Sequence, residues 1–294
     1  YTAKLWIAWK TSQVSSFVQQ VSDRLRKIKP NLMISAAVFP MRRESRIVSI
    51  QQDWETWIEN GWVDTLSPMS YTSDPQRLQG MFDYVQSSPR KRSLIYPGIA
   101  LHRLDSGQLV QQLEALRQHG GLGATLFAGA HLDQEKIDTL GDGPYKEQAS
   151  IPPHRDVVKS LQIILEDYSQ KFNTLQTKGA LASLSGSQTQ QIQASMGKFN
   201  ASLSALSAFK TAAHMPTETL TAARQSLAAL QLATDPWLQS EVNNPFRAQY
   251  FNQKMRLLDE LLEYLVDKNK LAPQGPRIIS PELTVKNPQQ PVIE

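Results

Sequence analysis

The sequence predicts an α/β region followed by an all-helical one, and three observations lead there. Apolar, strand-like runs recur near Leu32, Val63, Leu94 and Leu122, a step of about 30 residues, the length of one strand plus one crossover helix. Between them lie segments whose apolar residues return every three or four positions, as on one face of a helix. From His154 onward the strand-like runs stop, and helical spacing continues through a stretch rich in Ala, Gln, Leu and Ser.

Taken in order, residues 2–8 hold Leu5, Trp6 and Ile7 and read as a strand end or the loop after one. Thr11 or Ser12 then caps a helix with Val14, Phe17, Val18, Val21, Leu25 and Ile28 on its buried face. Lys27 and Lys29 suit the negative end of its dipole, and Pro30-Asn31 breaks it. Residues 32–38 (LMISAAV) form an apolar run expected of a parallel strand covered on both faces. A loop carrying Arg42, Arg43, Glu44 and Arg46 leads to a short helix over 51–60, with Trp54, Trp57 and Ile58 inward. Gly61 is placed for a left-handed cap.

The stretch 63–72 (VDTLSPMSYT) organises what surrounds it. It reads as a short buried strand that Pro68 stops, ending in a polar and aromatic loop. Asp74-Pro75 opens the next helix, with Leu78, Met81, Phe82 and Val85 on one face. Residues 93–99 (SLIYPGI) give another strand. Asp105 or Ser106 caps a helix with Leu109, Val110, Leu113 and Leu116, closed by Gly120-Gly121. Residues 122–128 (LGATLFA) give a fourth strand, and a short helix over 134–140 follows. An eight-fold barrel of such units takes roughly 250 residues, whereas this pattern ends by residue 145. Two architectures fit: a small open α/β sheet, or about four parallel βα units forming half of a (β/α)8 TIM-type barrel.

The character changes at Gly141-Asp142-Gly143-Pro144 and Ile151-Pro152-Pro153. This divides the chain into an α/β unit over 1–145, a linker over 146–153, an antiparallel helical bundle over 154–271 and an extended or disordered tail over 272–294. The bundle's stripes are Val157, Leu161, Ile164, Leu165, Tyr168, Phe172 and Leu175; then Ile192, Met196, Phe199, Leu203 and Leu206; then Leu220, Leu227 and Leu230; then apolar residues from Phe246 to Val266.

Composition narrows the chemistry. A net charge of +4 over 294 residues is small. Lys and Arg are scattered apart from Arg90-Lys91-Arg92, which argues against a nucleic-acid partner. With no cysteine, disulfides and thiol catalysis are excluded. No apolar run approaches the ~20 residues that span a bilayer, so no transmembrane segment is expected. Glycine-rich phosphate loops and a Gly-x-Ser-x-Gly elbow are missing. The five histidines are far apart in sequence, so neither a metal nor a cofactor is expected.

In parallel α/β folds, the C-terminal ends of strands build the site and the N-terminal ends stabilise the fold. Asp64, at a strand start, therefore reads as a structural hydrogen-bond partner. Met69, Tyr71 and Thr72 lie at the far end and face the expected cleft. Tyr71 is suited to hydrogen-bond a ligand and stack on a sugar face, or else is a rim residue of the core. Asp74 is either a ligand-binding carboxylate or the N-cap before Pro75. Tyr96, Gly98 and His102 bracket the end of the next strand; Gly98 would let a ligand approach the backbone, and His102 would donate a proton or a hydrogen bond. Phe127 and Gly129 end the last strand in the same way. Trp6 and Trp9 fall on the same rim, where exposed indoles suit carbohydrate and buried ones would be core. Glycoside hydrolysis needs two carboxyl groups about 5–10 Å apart, and no convincing pair is visible.

Several of these pieces occur together in a known family. Trp9-Lys10, Val14, Phe17-Val18 and Ile28-Lys29-Pro30 resemble bacterial family 10 glycosyl-hydrolase-like proteins. So do Gln52-Asp53-Trp54 with Trp57, Gly61, Val63-Asp64 and Pro68-Met69-Ser70-Tyr71, and Pro97-Gly98-Ile99 with the closing run from Gly123 to Phe127. The resemblance is to versions found in cyanobacteria and covers about residues 1–140. It implies the second half of a (β/α)8 barrel, from the loop after strand 4 through strand 8, with the family's acidic strand-4 motif lying before Tyr1. It also implies hydrolysis of glycosidic bonds in a cell-surface or extracellular polysaccharide, at a periplasmic, cell-surface or extracellular location. Met69 and Tyr71 then map to the substrate cleft, and Trp9-Lys10 to a loop where the family usually has Trp-Arg. On this basis the expected substrate-binding residues are Tyr71, Met69, Trp9, Tyr96, Gly98, His102 and Phe127, with Asp74 the candidate catalytic carboxylate. A non-catalytic carbohydrate-binding or envelope scaffold protein is the rival expectation.

Overall fold

The computed structural model describes residues 2–30, 32–87, 92–146, 153–209 and 215–270. Arg90 and Lys91, most of the expected linker and the expected tail over 272–294 lie outside the described residues. The N-terminal part runs α1 (Thr2–Ile28), β1 (Ser35–Val38), α2 (Arg43–Ile50), α3 (Trp54–Glu59), β2 (Thr65–Pro68), α4 (Pro75–Gln86), β3 (Leu94–Ile95), β4 (Gly98–Ala100), α5 (Ser106–Gln118), β5 (Thr125–Phe127) and α6 (Gln134–Asp142). Four longer helices follow: α7 (Val157–Thr177), α8 (Gly186–Leu206), α9 (Thr217–Ser240) and α10 (Pro245–Asn269).

The expected partial (β/α)8 barrel is not what forms. The described residues are 68% helical, with five short strands in two small sheets, so the fold is mainly α-helical. One sheet has the order β1-β2-β3 and the other pairs β4 with β5. Pairing is parallel, with Ala36 beside Leu66, Thr65 beside Leu94 and Ile99 beside Leu126. A single bridge between Met69 and Gly98 links the sheets.

The chemistry of the runs explains why they pair so briefly. Pro97 has no N–H to give a ladder, and the 93–99 run breaks there into β3 and β4. Pro68 ends β2 in the same way. Ser35, Ala37, Thr125 and Phe127 are exposed, so β1 and β5 are not strands buried on both faces. Residues 2–8 are helical rather than extended: Ala3, Lys4, Leu5 and Ala8 are good helix formers, and no Gly or Pro interrupts them. The expected loop after β1 is the helix α2.

Two hydrophobic clusters hold these elements. In the first, Val38, Leu66, Ile95 and Ile99 from the strands meet Trp54, Trp57 and Ile58 of α3, Phe82 of α4 and Leu109 and Leu113 of α5. Val14 and Val18 of α1 pack against it half-buried. In the second, α7 packs on α8, α8 on α9, α9 on α10 and α10 back on α7. Tyr168, Phe172, Trp237 and Phe251 form its aromatic centre, with ring centroids 4.7–5.5 Å apart along the chain of contacts. Leu94 of β3 belongs to this second cluster, so the helices and the small sheet share apolar contact.

α10 fastens the two clusters together. Gln86 donates to Glu260 at 2.7 Å, Arg256 to the Gln118 carbonyl at 3.1 Å, and Gln253 to the Arg117 carbonyl. At its C-terminal end Lys268 reaches Asp64 at 2.6 Å. Asp64 is buried, pairs with Arg26 of α1 at 3.1 Å and accepts from the Ile34 N–H at 2.9 Å. Burial alone would raise its carboxyl pKa; the charges of Lys268 and Arg26 overcome that and hold it below the usual carboxylate range. The pKa of Lys268 is lowered as well, by burial that Asp64 only partly offsets. No described helix is long and apolar enough to cross a membrane.

Candidate functional site

The rim after β2, β4 and β5 gathers the largest share of the expected residues. The Tyr71 and Phe127 rings stack at 5.3 Å with an interplanar angle of 18°. Phe127 is 49% exposed and Tyr71 half-buried, so part of the stacked pair faces solvent. Burial pushes the Tyr71 phenol up from its ordinary value. The Phe127–Ala128 peptide is cis.

Hydrogen bonds fix this surface from below. Gln112 of α5 is wholly buried and donates to the Thr72 carbonyl at 2.5 Å. Arg103, at the end of the 3-10 turn Leu101–Arg103, donates to the Tyr71 carbonyl at 3.1 Å. The Thr72 hydroxyl accepts from the Asp74 N–H at 3.1 Å. Ser67 and Thr125 hydroxyls lie 3.1 Å apart, tying β2 to β5.

Gly98 is closely packed at the rim. A Cβ there would meet the Pro68 carbonyl at 3.0 Å and the Tyr71 ring at 3.3 Å. The close approach that this glycine permits in the structure is that of the β2 backbone and Tyr71. Met69 is half-buried beside it, its N–H donating to the Val38 carbonyl at 2.7 Å. His102 stands on the 3-10 turn after β4 and faces His131, on the turn after β5, with ring centroids 5.4 Å apart.

The remaining expected residues lie elsewhere or do other work. Tyr96 packs against the helical cluster, with its hydroxyl 3.3 Å from His154 Nδ1 and their rings edge to face. Burial raises its pKa to about 12. Trp9 is on α1 rather than in a loop, stacked on Trp6 at 4.8 Å, the two 46% and 56% exposed. Asp74 is the N-cap of α4 and accepts from the Gln76 N–H at 2.9 Å. Asp105 and Asp133 cap α5 and α6 in the same way. These three carboxylates are thus engaged with helix N-termini, where the backbone N–H groups stabilise the anion.

Sequence reasoning missed Arg103 and His131. A signal for His131 was present: it follows His102 by about one βα repeat, so equivalent turns carry both. Among the described residues no group of three or more His, Asp and Glu could hold a metal ion. Two open polar grooves lie on the helices instead. The larger, about 650 Å³, runs between α7 and α8 past Gln162, Glu166, Asn173, Gln193 and Asn200.

Residues 1–112 match the family described as glycosyl hydrolase-like 10. That span takes in Met69, Tyr71, Gly98, His102 and Arg103, while Phe127 and His131 lie beyond it. No curated protein and no solved structure matches the chain. At a coarse level, then, the first 112 residues are similar to glycosyl hydrolase-like proteins, and they carry most of the rim.

Proposed function

We propose that this chain holds a saccharide on the Tyr71–Phe127 surface, as part of a glycoside-hydrolase-like protein acting on a cell-surface or extracellular polysaccharide. The single observation that carries this is the stacked, solvent-facing aromatic pair, most of whose supports lie within the segment that resembles such proteins. Sugar rings present C–H faces that pack on aromatic rings, and the polar rim supplies hydrogen bonds to their hydroxyls. The place of action in this proposal is periplasmic, cell-surface or extracellular.

Hydrolysis of the bound glycoside is a second reading, favoured by the family match alone. Binding is favoured over turnover because Asp74, Asp105 and Asp133 serve as helix caps. Titration calorimetry against a panel of neutral and acidic oligosaccharides, with a parallel reducing-sugar assay, tests both. Tyr71→Ala is expected to weaken binding about tenfold or more, since losing the apolar contact of an aromatic side chain costs about 1.5–3 kcal/mol; Tyr71→Phe keeps the ring and is expected to change affinity less than about threefold. Equal affinity for Tyr71→Ala and the wild type would refute the proposal, and release of reducing sugar would establish the enzymatic reading.

A further inference from the structure

Three cationic or proton-binding side chains crowd the edge of the aromatic surface. Arg103 donates through Nη1 to the Tyr71 carbonyl and through Nε to His102 Nε2 at 3.4 Å. His131 closes the group at 5.4 Å from His102. All three are exposed. Among the described residues none of them is ion-paired with a carboxylate. Asp74, Asp105 and Asp133, which follow β2, β4 and β5 in the chain, accept from backbone N–H groups of α4, α5 and α6, and Asp133 also pairs with Lys136 at 2.5 Å. A guanidinium has five N–H donors in a planar fork suited to a carboxylate or sulfate, and the two hydrogen bonds above leave donors for a ligand.

We propose that the saccharide held at this rim is acidic, and that Arg103, with His102 and His131 beside it, receives its carboxylate or sulfate group. This rests on the saccharide proposal for the same surface and adds the substrate's charge class. The aromatic pair would take the sugar face while the basic edge takes the anion, which fixes the ring's orientation as well as its affinity.

Matched oligosaccharides test it. Oligogalacturonate, oligoglucuronate and oligomannuronate, each beside its carboxyl-reduced form, and a sulfated glycan beside its desulfated form are titrated by calorimetry. At least one acid is expected to bind about tenfold tighter than its neutral partner, with the ratio shrinking as salt rises; the uronate and sulfate arms identify which anion is received. Arg103→Gln is expected to bring that ratio close to one, the acidic form losing about tenfold more affinity than its neutral partner. His102→Gln with His131→Gln, which leaves the bond to Tyr71 intact, is expected to lower the ratio too. Equal binding of acidic and neutral forms by the wild type would overturn the charge class and leave the saccharide proposal standing. Equal loss of both forms in Arg103→Gln would make Arg103 only a support for the Tyr71 loop. Binding of none would remove both proposals.

Discussion

Asp74 shows how one side chain serves two incompatible accounts. As a proton donor it would have to exchange a proton with substrate; as a cap it must stay ionised or at least keep an acceptor oxygen toward Gln76 N–H. The two accounts separate by substitution. Asn keeps the acceptor and caps a helix about as well as Asp, whereas Ala removes it and costs about 1 kcal/mol. Thermal unfolding is therefore expected to show Asp74→Asn close to the wild type and Asp74→Ala clearly lower. If any glycosidase activity is measured, Asp74→Asn is expected to retain it; its loss in that variant, with stability unchanged, would make Asp74 a catalytic residue. Capping was legible in the sequence here, because Asp before Pro at a helix start is a strong local signal. The role of Gly98 was not legible: glycine permits close approach, but only the fold decides what approaches.

Among the elements, α10 and β2 are joined by the buried Asp64, which Lys268 and Arg26 flank. Removing one partner from a buried pair typically destabilises by about 3–5 kcal/mol, because a charge is left uncompensated, so Asp64→Asn is expected to fall in that range. The sign with pH follows from the lowered Asp64 pKa. Its contribution is full above the unfolded carboxyl value of about 3.9 and is lost as pH falls through the lower folded value. Denaturant unfolding from pH 6 down to pH 2 is expected to show a steeper loss in the wild type than in Asp64→Asn. Parallel slopes would contradict the latch. Asp64 was readable as structural because it stands at the start of its strand. Its partner Lys268 was not, since 204 residues separate them and no local pattern encodes so distant a pairing.

Over the whole molecule, helices were more legible than strands. The buried apolar residues of α8, Ile192, Met196, Phe199, Leu203 and Leu206, are the members of its sequence stripe, because a helix's periodicity is local. The sheet was overread: apolar runs of seven residues pair over only two to four, since pairing depends on neighbours that the run itself does not specify. That is why a barrel-like repeat in the sequence yields a mainly helical structure with two small sheets. The candidate site was half legible. Tyr71, Gly98, His102 and Phe127 come together on one rim, while Tyr96 turns to the helices and Trp9 sits on α1.

The central claim is that a saccharide docks on that rim. Chemical-shift mapping on isotope-labelled protein, titrated with the tightest oligosaccharide of the panel, addresses it directly. The account expects the largest shifts at Tyr71, Gly98, His102, Phe127 and His131, with the α7–α8 groove silent. Shifts centred on Gln162, Gln193 and Asn200 of that groove, with Tyr71 and Phe127 unmoved, would contradict it.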